Sequence, residues 1–370
     1  MKNTAFICDE SYFWHNSGDG ALFEPAGGYL QVDGSVESPE SKRRFKNLLE
    51  RSGLLQQLKQ ITPTTASEEQ LQYFHTKRHI TNVKHLSETT GGDCGDSAIV
   101  GIGSYEIAKL AVGGAITAVK HVIEDDSIEN AYVLTRPPGH HAEEDRGFGF
   151  CIFNNAVIAT KYAQKELGIK KVLILDWDAH HGNGVEDAFY EDDSVFYISI
   201  HQDNLEPIGR GQMQDIGLRQ GRGTTINIPL LAASGDPVYQ YAMQEIVAPA
   251  IKKFQPELII VCAGQDASIF DPLARMSLSM EGYRKMTRII KDLATQHSQG
   301  RLVFLHEGGY SRVYVPFCCH AIVEELSDIQ TDVKDPFIYA MAGCGYDIMQ
   351  PYQKNRVDEI RDYLKQEAVI

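Results

Sequence analysis

Between Leu173 and Gly184 the chain reads LILDWDAHHGNG: three aliphatic residues, then Asp176, Asp178, His180 and His181 within six positions. Side chains alternate along an extended segment, so Asp178 and His180 fall on the same side. There a carboxylate oxygen and an imidazole nitrogen can share one cation. Taken alone, the pair reads equally well as the polar end of a strand. Asp266, at the end of another aliphatic run, would supply a third ligand and leave a position open for water or substrate. One imidazole and two carboxylates make an oxygen-rich set, which suits Zn²⁺ and also admits Fe²⁺, Co²⁺ or Mn²⁺.

His140 and His141 follow a Gly/Pro-rich RPPG turn and can both face such a centre, with Asp176 and Asn183 at hand to fix their tautomers. A single loop histidine is more often a surface residue, and that reading is preferred for His75, His79, His85 and His297. His181 is assigned a structural role. Tyr310, after EGG, is a neutral phenol donor able to polarise a carbonyl; the alternative is a buried core tyrosine.

The elements that must position these residues are apolar runs at 131–137, 171–178, 194–201, 224–230, 257–264 and 301–309. They are short, rich in Val, Ile and Leu, and not alternating, as strands buried on both faces should be. Helical patterns lie at 104–124, 154–167, 237–254 and 280–297, the last with Ser279 as a capped start, and at 39–59. Alternating β and α without a linker predicts one α/β domain over 1–370 around a mainly parallel sheet. Residues 1–97 are loop-rich and are expected to cover the site or an interface. In such a sheet ligands bind at the carboxyl ends of the strands. His, Asp and Tyr accumulate there from five separate segments.

Net charge is −15 in 370 residues, which argues against direct nucleic-acid binding through phosphates. No apolar run approaches the roughly 18 residues that span a bilayer, and the start of the chain lacks a secretory signal pattern. Seven scattered cysteines without a C-x-x-C pair read as reduced thiols, so a cytoplasmic location is expected.

RPPGHHAEEDRGFGFCIFNNAV, LDWDAHHGNG, CAGQDASIFDPLARM and EGGY together resemble the histone deacetylase family, in its class II and bacterial histone deacetylase-like amidohydrolase branch. SKRRFKNLL, TGGDCGDS and VPFCCHAIVEEL extend the similarity over nearly the whole chain. The resemblance implies the arginase/deacetylase fold, a single domain with an eight-stranded parallel sheet. It implies Zn²⁺ held by Asp178, His180 and Asp266, with His141 as general base and acid. His140 would be its electrostatic partner, Asp176 and Asn183 would orient the pair, and Tyr310 would stabilise the oxyanion. A structural K⁺ would sit against backbone oxygens of Asp176, Asp178, His180 and Ile200, with Ser199. Phe150, beside Gly149, would wall a channel for an acyl-lysine stem. The implied reaction is hydrolysis of acetyl or related acyl groups from lysine in a protein or peptide, or from a small acylated amine. A homodimer or homotetramer is consistent with the bacterial relatives.

Several positions depart from the pattern. The second channel wall, usually aromatic, falls on Glu206 or Leu205, and Gln265 stands before Asp266 where an apolar or aromatic residue is usual. Leu273 holds the rim position at which polyamine-deacetylating relatives tend to carry glutamate, which favours acyl-lysine over acetylpolyamine. Asp93 and Asp96 are candidates for gripping substrate amides, or equally solvated loop residues. A di-manganese ureohydrolase would need a D-x-H-x-D run, and here Gly182 takes the last place. A non-catalytic acyl-binding protein is disfavoured, because the whole set of site residues is present.

Overall fold

The computed structural model describes residues 3–20, 24 and 26–370, so Pro25 of the loop-like 24–35 stretch lies outside the described residues. The aliphatic runs form six adjoining strands of an eight-stranded sheet, reaching one of its edges. In chain order its strands are β1 (Asn3–Ile7), β2 (Lys59–Ile61), β3 (Ile128–Val133), β4 (Val172–Asp176), β5 (Val195–Gln202), β6 (Thr225–Leu230), β7 (Leu258–Ala263) and β8 (Leu302–His306). They stand in the order β6-β5-β4-β7-β8-β3-β1-β2, every pair parallel.

Both faces are covered. Helices α1 (Glu40–Arg51), α2 (Ser104–Glu124), α3 (Asn155–Leu167), α4 (Asn183–Phe189), α5 (Met280–His297) and α6 (Val315–Ser327) include the main packing partners. Leu173 and Leu175 of β4, with Trp177, join a core containing Tyr283 and Met286 of α5 and Cys318, Cys319 and Ile322 of α6. Val172 and Ile174 point the other way, into a core with Ala115, Ala118 and Val119 of α2 and Val157 and Ala159 of α3. This period-two division explains why β4 is apolar at each position from Val172 to Leu175. Each such side chain contributes about 1.5–3 kcal/mol on burial.

The chain leaves β4 toward β5 on one side and leaves β7 toward β8 on the other. The order therefore reverses between β4 and β7, and their carboxyl ends open a crevice.

Several elements differ from their sequence reading. The helix read over 39–59 stops at Arg51: Gly53 turns the chain with φ of 77°, and edge strand β2 follows. The helix over 237–254 runs as Asp236–Ala242, a π-helical Met243–Val247 and Ala248–Phe254, the π segment absorbing the hydrogen bond Pro249 cannot donate. By contrast, Ser279 does cap α5, accepting from the Gly282 N–H at 3.1 Å. Within the loop-rich part, Gly95–Asp96 pairs with Gly147–Phe148, tying the TTGGDCGDS segment to the turn that carries the histidine pair. All seven cysteines are free thiols, and Cys318 and Cys319 are both buried. Among the described residues, no helix is long and apolar enough to cross a membrane.

Candidate active site

The crevice between β4 and β7 collects the charged residues. His180 Nδ1 lies 2.7 Å from Asp266 Oδ2 and 3.2 Å from Asp178 Oδ1. Both carboxylates are buried and aimed by backbone N–H groups: Ala179 donates to Asp266, and His180 and Gly308 donate to Asp178, at 2.8–2.9 Å. Gly308 has to be glycine, because a Cβ there would stand 2.7 Å from both the Asp178 and Asp266 carboxylates.

The electrostatics of this trio fit a cation. Burial, and then the neighbouring Asp178, push the Asp266 carboxyl well above the usual carboxylate range. Burial pulls His180 down, but its hydrogen bonds to Asp178 and Asp266 hold it up at about 10. Two buried carboxylates crowd one imidazole, with protons alone to relieve them. One nitrogen and carboxylate oxygens within 4.8 Å of one another form a divalent-metal donor set. The D-x-H-x-D arrangement of a two-metal site is closed off. A Cβ on Gly182 would run into the Asp176 carboxylate and the Tyr197 hydroxyl, so no carboxylate can enter at the fifth position of D-x-H-x-D.

The two histidines lie tilted against each other, ring centroids 4.0 Å apart, but in different settings. His140 Nδ1 is 3.0 Å from Asp176 Oδ2, which also accepts from the Tyr197 hydroxyl at 3.1 Å. Burial disfavours its charge, but Asp176 and Asp178 outweigh that and push His140 up to about 10. His141 Nδ1 is 2.8 Å from Asn183 Oδ1, a neutral partner. Burial, then the positive fields of His140 and His180, hold His141 well below its ordinary value. The two rings are thus pushed in opposite directions, His140 toward its charged form and His141 toward its neutral one. Gly149 passes so close to His141 that a Cβ would lie 2.7 Å from the ring.

Above them opens a cleft of about 930 Å³, with His141, His180 and Tyr310 among its lining residues. Phe148, Gly149 and Phe150 line it together with Leu205, Glu206, Pro272 and Leu273. Phe150 and Tyr310 rings are 5.7 Å apart. Asp19, Glu24, Asp93 and Asp96 also line it, with Arg275 the one Lys or Arg among the described lining residues. Tyr310 is nearly buried, and burial with the nearby carboxylates keeps its phenol protonated. Asp271 fixes its backbone, accepting from the Tyr310 N–H at 2.8 Å.

Most sequence-predicted residues meet here; Asp93 behaves differently. Its carboxylate accepts from the N–H groups of Gly95, Ser97 and Ala98 at 2.9–3.0 Å, so it is spent on its own turn, whereas Asp96 remains exposed. Ser199 and Ile200 are buried on β5, Ser199 in register with Asp176. Gln265 is buried and its amide donates to the Ala263 carbonyl, and nothing in the structure explains the choice of residue. His181 packs 5.0 Å from His201 and bonds Glu186 at 3.2 Å.

The surface reading of His75 and His79 is wrong. Both are buried, His75 accepting from the Asn154 N–H at 2.9 Å and His79 Nε2 lying 2.8 Å from the Ile152 carbonyl. Each braces the segment after the His pair. Glu307 was also missed. It accepts from the Gly139 and His140 N–H groups at 2.7 and 3.2 Å, holding the histidine turn from beneath. The signal was its place at the end of β8.

Comparison with known proteins agrees. Residues 35–326 match the family described as Histone deacetylase domain. The chain is 46% identical over 338 residues to a histone deacetylase-like amidohydrolase of Pseudomonas aeruginosa, covering 90% of this chain and 89% of that protein. It is 38% identical over 288 residues to a probable deacetylase of Archaeoglobus fulgidus, covering 76% and 79%. The crystal structure of the HDA15 HD domain superposes with a TM-score of 0.82 at 29% identity, over 99% of this chain and 97% of that one. With the reversed sheet order, the Asp–His–Asp trio and the histidine pair in one crevice, the chain belongs to the histone deacetylase family.

Proposed function

We propose that this chain is a zinc-dependent amide hydrolase that removes acetyl or related acyl groups from lysine side chains. The observation that carries the reading is the Asp178–His180–Asp266 trio, whose His180 lines the same cleft as Tyr310 and as His141, held well below its ordinary pKa. Asp178, His180 and Asp266 would hold Zn²⁺, with Fe²⁺ or Co²⁺ as substitutes; when bound, the ion would polarise the amide carbonyl and acidify water. Phe150 and the opposite Leu205 and Leu273 receive the aliphatic stem of the substrate. His141 Nε2 takes a proton from the attacking water and returns it to the leaving amine. The Tyr310 hydroxyl donates to the oxygen that gains charge as the carbonyl becomes tetrahedral. His140, kept cationic by Asp176, adds positive field at the same place.

K⁺ is proposed as a structural ion against Asp176, Asp178, His180, Ser199 and Ile200; β4 and β5 bring Asp176 and Ser199 of this set side by side. Replacing K⁺ by choline should lower the thermal midpoint. A second substrate reading, an acetylpolyamine, is favoured by one observation: the acidic lining of Asp19, Glu24, Asp96 and Glu206. A cytoplasmic homodimer or homotetramer completes the reading. Fully exposed Tyr29, with Leu30 and Val32 near it, offers apolar surface for such contacts.

The test is a panel of acetyl-, trifluoroacetyl- and longer acyl-lysine peptides beside acetylated spermidine and putrescine. Acyl-lysine turnover should dominate kcat/KM. Dominance of the polyamines would overturn the substrate assignment, and no turnover of either class would overturn the activity.

A further inference from the structure

Asn183 is a two-faced partner for His141. An amide offers oxygen or N–H₂ at nearly the same place, so by itself it does not decide which imidazole nitrogen carries the hydrogen. Its surroundings do. Asn183 Nδ2 donates to Glu143 Oε1 at 2.9 Å and approaches the His141 carbonyl at 3.4 Å, while Asn183 Oδ1 lies 2.8 Å from His141 Nδ1. A carboxylate and a carbonyl accept only, so both must face the N–H₂ group. The amide oxygen is then turned to His141, Nδ1 has to be the protonated nitrogen, and Nε2 keeps its lone pair. With the amide reversed, N–H₂ would point at Nδ1, the hydrogen would move to Nε2, and the ring's one lone pair would be spent on Asn183 instead of facing the cleft.

Glu143 is itself held. Arg146 grips it with two bonds, Nε to Oε2 at 2.7 Å and Nη2 to Oε1 at 3.0 Å. Those bonds, foremost, keep the Glu143 carboxyl below its ordinary range, so at neutral pH it is ionised and has no hydrogen to donate. The pair opens on a separate shallow pocket with Phe74, Arg78 and Asp187, which shares no lining residue with the substrate cleft.

We propose that Glu143, clamped by Arg146, is a positioning residue that sets the tautomer of His141 through the amide of Asn183. Glu143 touches neither substrate nor metal ligands; it acts through Asn183 alone. The inference rests on reading His141 as the base, and it extends the reaction's hydrogen-bonded support from the cleft to the protein surface.

The experiment compares the zinc-loaded full chain with its Glu143→Gln and Glu143→Asp variants. Gln is isosteric but can present N–H₂ to Asn183, so the amide is no longer locked. Glu143→Gln should lower kcat about 10- to 100-fold, as for loss of a hydrogen-bonded partner behind a site histidine, with KM within about twofold. Glu143→Asp, which still only accepts, should recover part of kcat. Independently of any substrate, ¹⁵N NMR of the imidazoles should show His141 protonated at Nδ1 in the native chain and a mixture of tautomers in Glu143→Gln. A native His141 protonated at Nε2, or a Glu143→Gln kcat within about twofold of native, overturns the proposal. If Glu143→Gln does not fold, the native NMR result and the Glu143→Asp kinetics decide it. A native chain that hydrolyses no acyl-lysine would instead defeat the proposed activity, and the tautomer measurement would stand apart from that.

Discussion

His180 and Asp266 meet across the gap between β4 and β7, the imidazole Nδ1 2.7 Å from the carboxylate Oδ2. They are 86 residues apart in the chain and share no local motif. Only the reversal of strand order brings them together, at a place where two carboxyl ends diverge without a connecting loop between them. The chemistry is therefore a property of topology as much as of residue choice.

Tyr310 supplies a hydroxyl and little else to the reaction. Tyr310→Phe keeps the ring against Phe150 and should lower kcat on the order of 10²- to 10³-fold while moving KM little. Steady-state kinetics on an acyl-lysine peptide check this. A variant with near-native kcat would remove Tyr310 from the mechanism.

Acid should loosen the support of the histidine turn through His75. Burial first, then His79, lower its pKa to about 3 from an ordinary 6.5. The folded state thus binds this proton less readily than the unfolded chain does. Its contribution is fully present above about 6.5 and is lost progressively as the pH falls from there toward 3, by up to ~1.4 kcal/mol per pH unit. Urea midpoints at pH 7, 6 and 5 should fall in that order. His75→Gln, which can still accept from Asn154 but cannot titrate, should flatten the slope whatever its absolute stability; an unchanged slope would contradict the assignment.

In the proposed reading, the lining at Leu273 disfavours a second positive charge on the substrate. Leu273→Glu should raise the kcat/KM ratio of acetylpolyamine to acetyl-lysine peptide by about fivefold, the effect of ~1 kcal/mol from a rim ion pair. High salt should erase the gain. A ratio that does not move would place substrate choice elsewhere in the cleft.

How much of this was legible before the structure depends on where each residue sits. β4 and β7 are buried on both faces, so their continuous aliphatic runs announce them, and the polar residues that end those runs stand out. β2 is a three-residue edge strand, Lys59–Ile61, paired on one side and exposed on the other, and it has no apolar signature to read. His75 and His79 were misread because their burial comes from packing against Phe153, a contact between distant segments. Glu143 and Glu307 are ordinary glutamates in sequence. What makes one a clamp on Asn183 and the other a strut for His140 is the approach of another loop.

Central to the proposed activity is one divalent ion, which Asp178, His180 and Asp266 would hold. The direct measurement is titration of metal-stripped protein with Zn²⁺, following bound metal and acyl-lysine turnover together. Turnover should rise in step with binding and saturate at about one ion per chain, and Asp266→Asn should weaken binding more than ~100-fold, beyond what loss of a supporting partner costs. Full turnover without metal, or saturation at two ions per chain, would contradict the account.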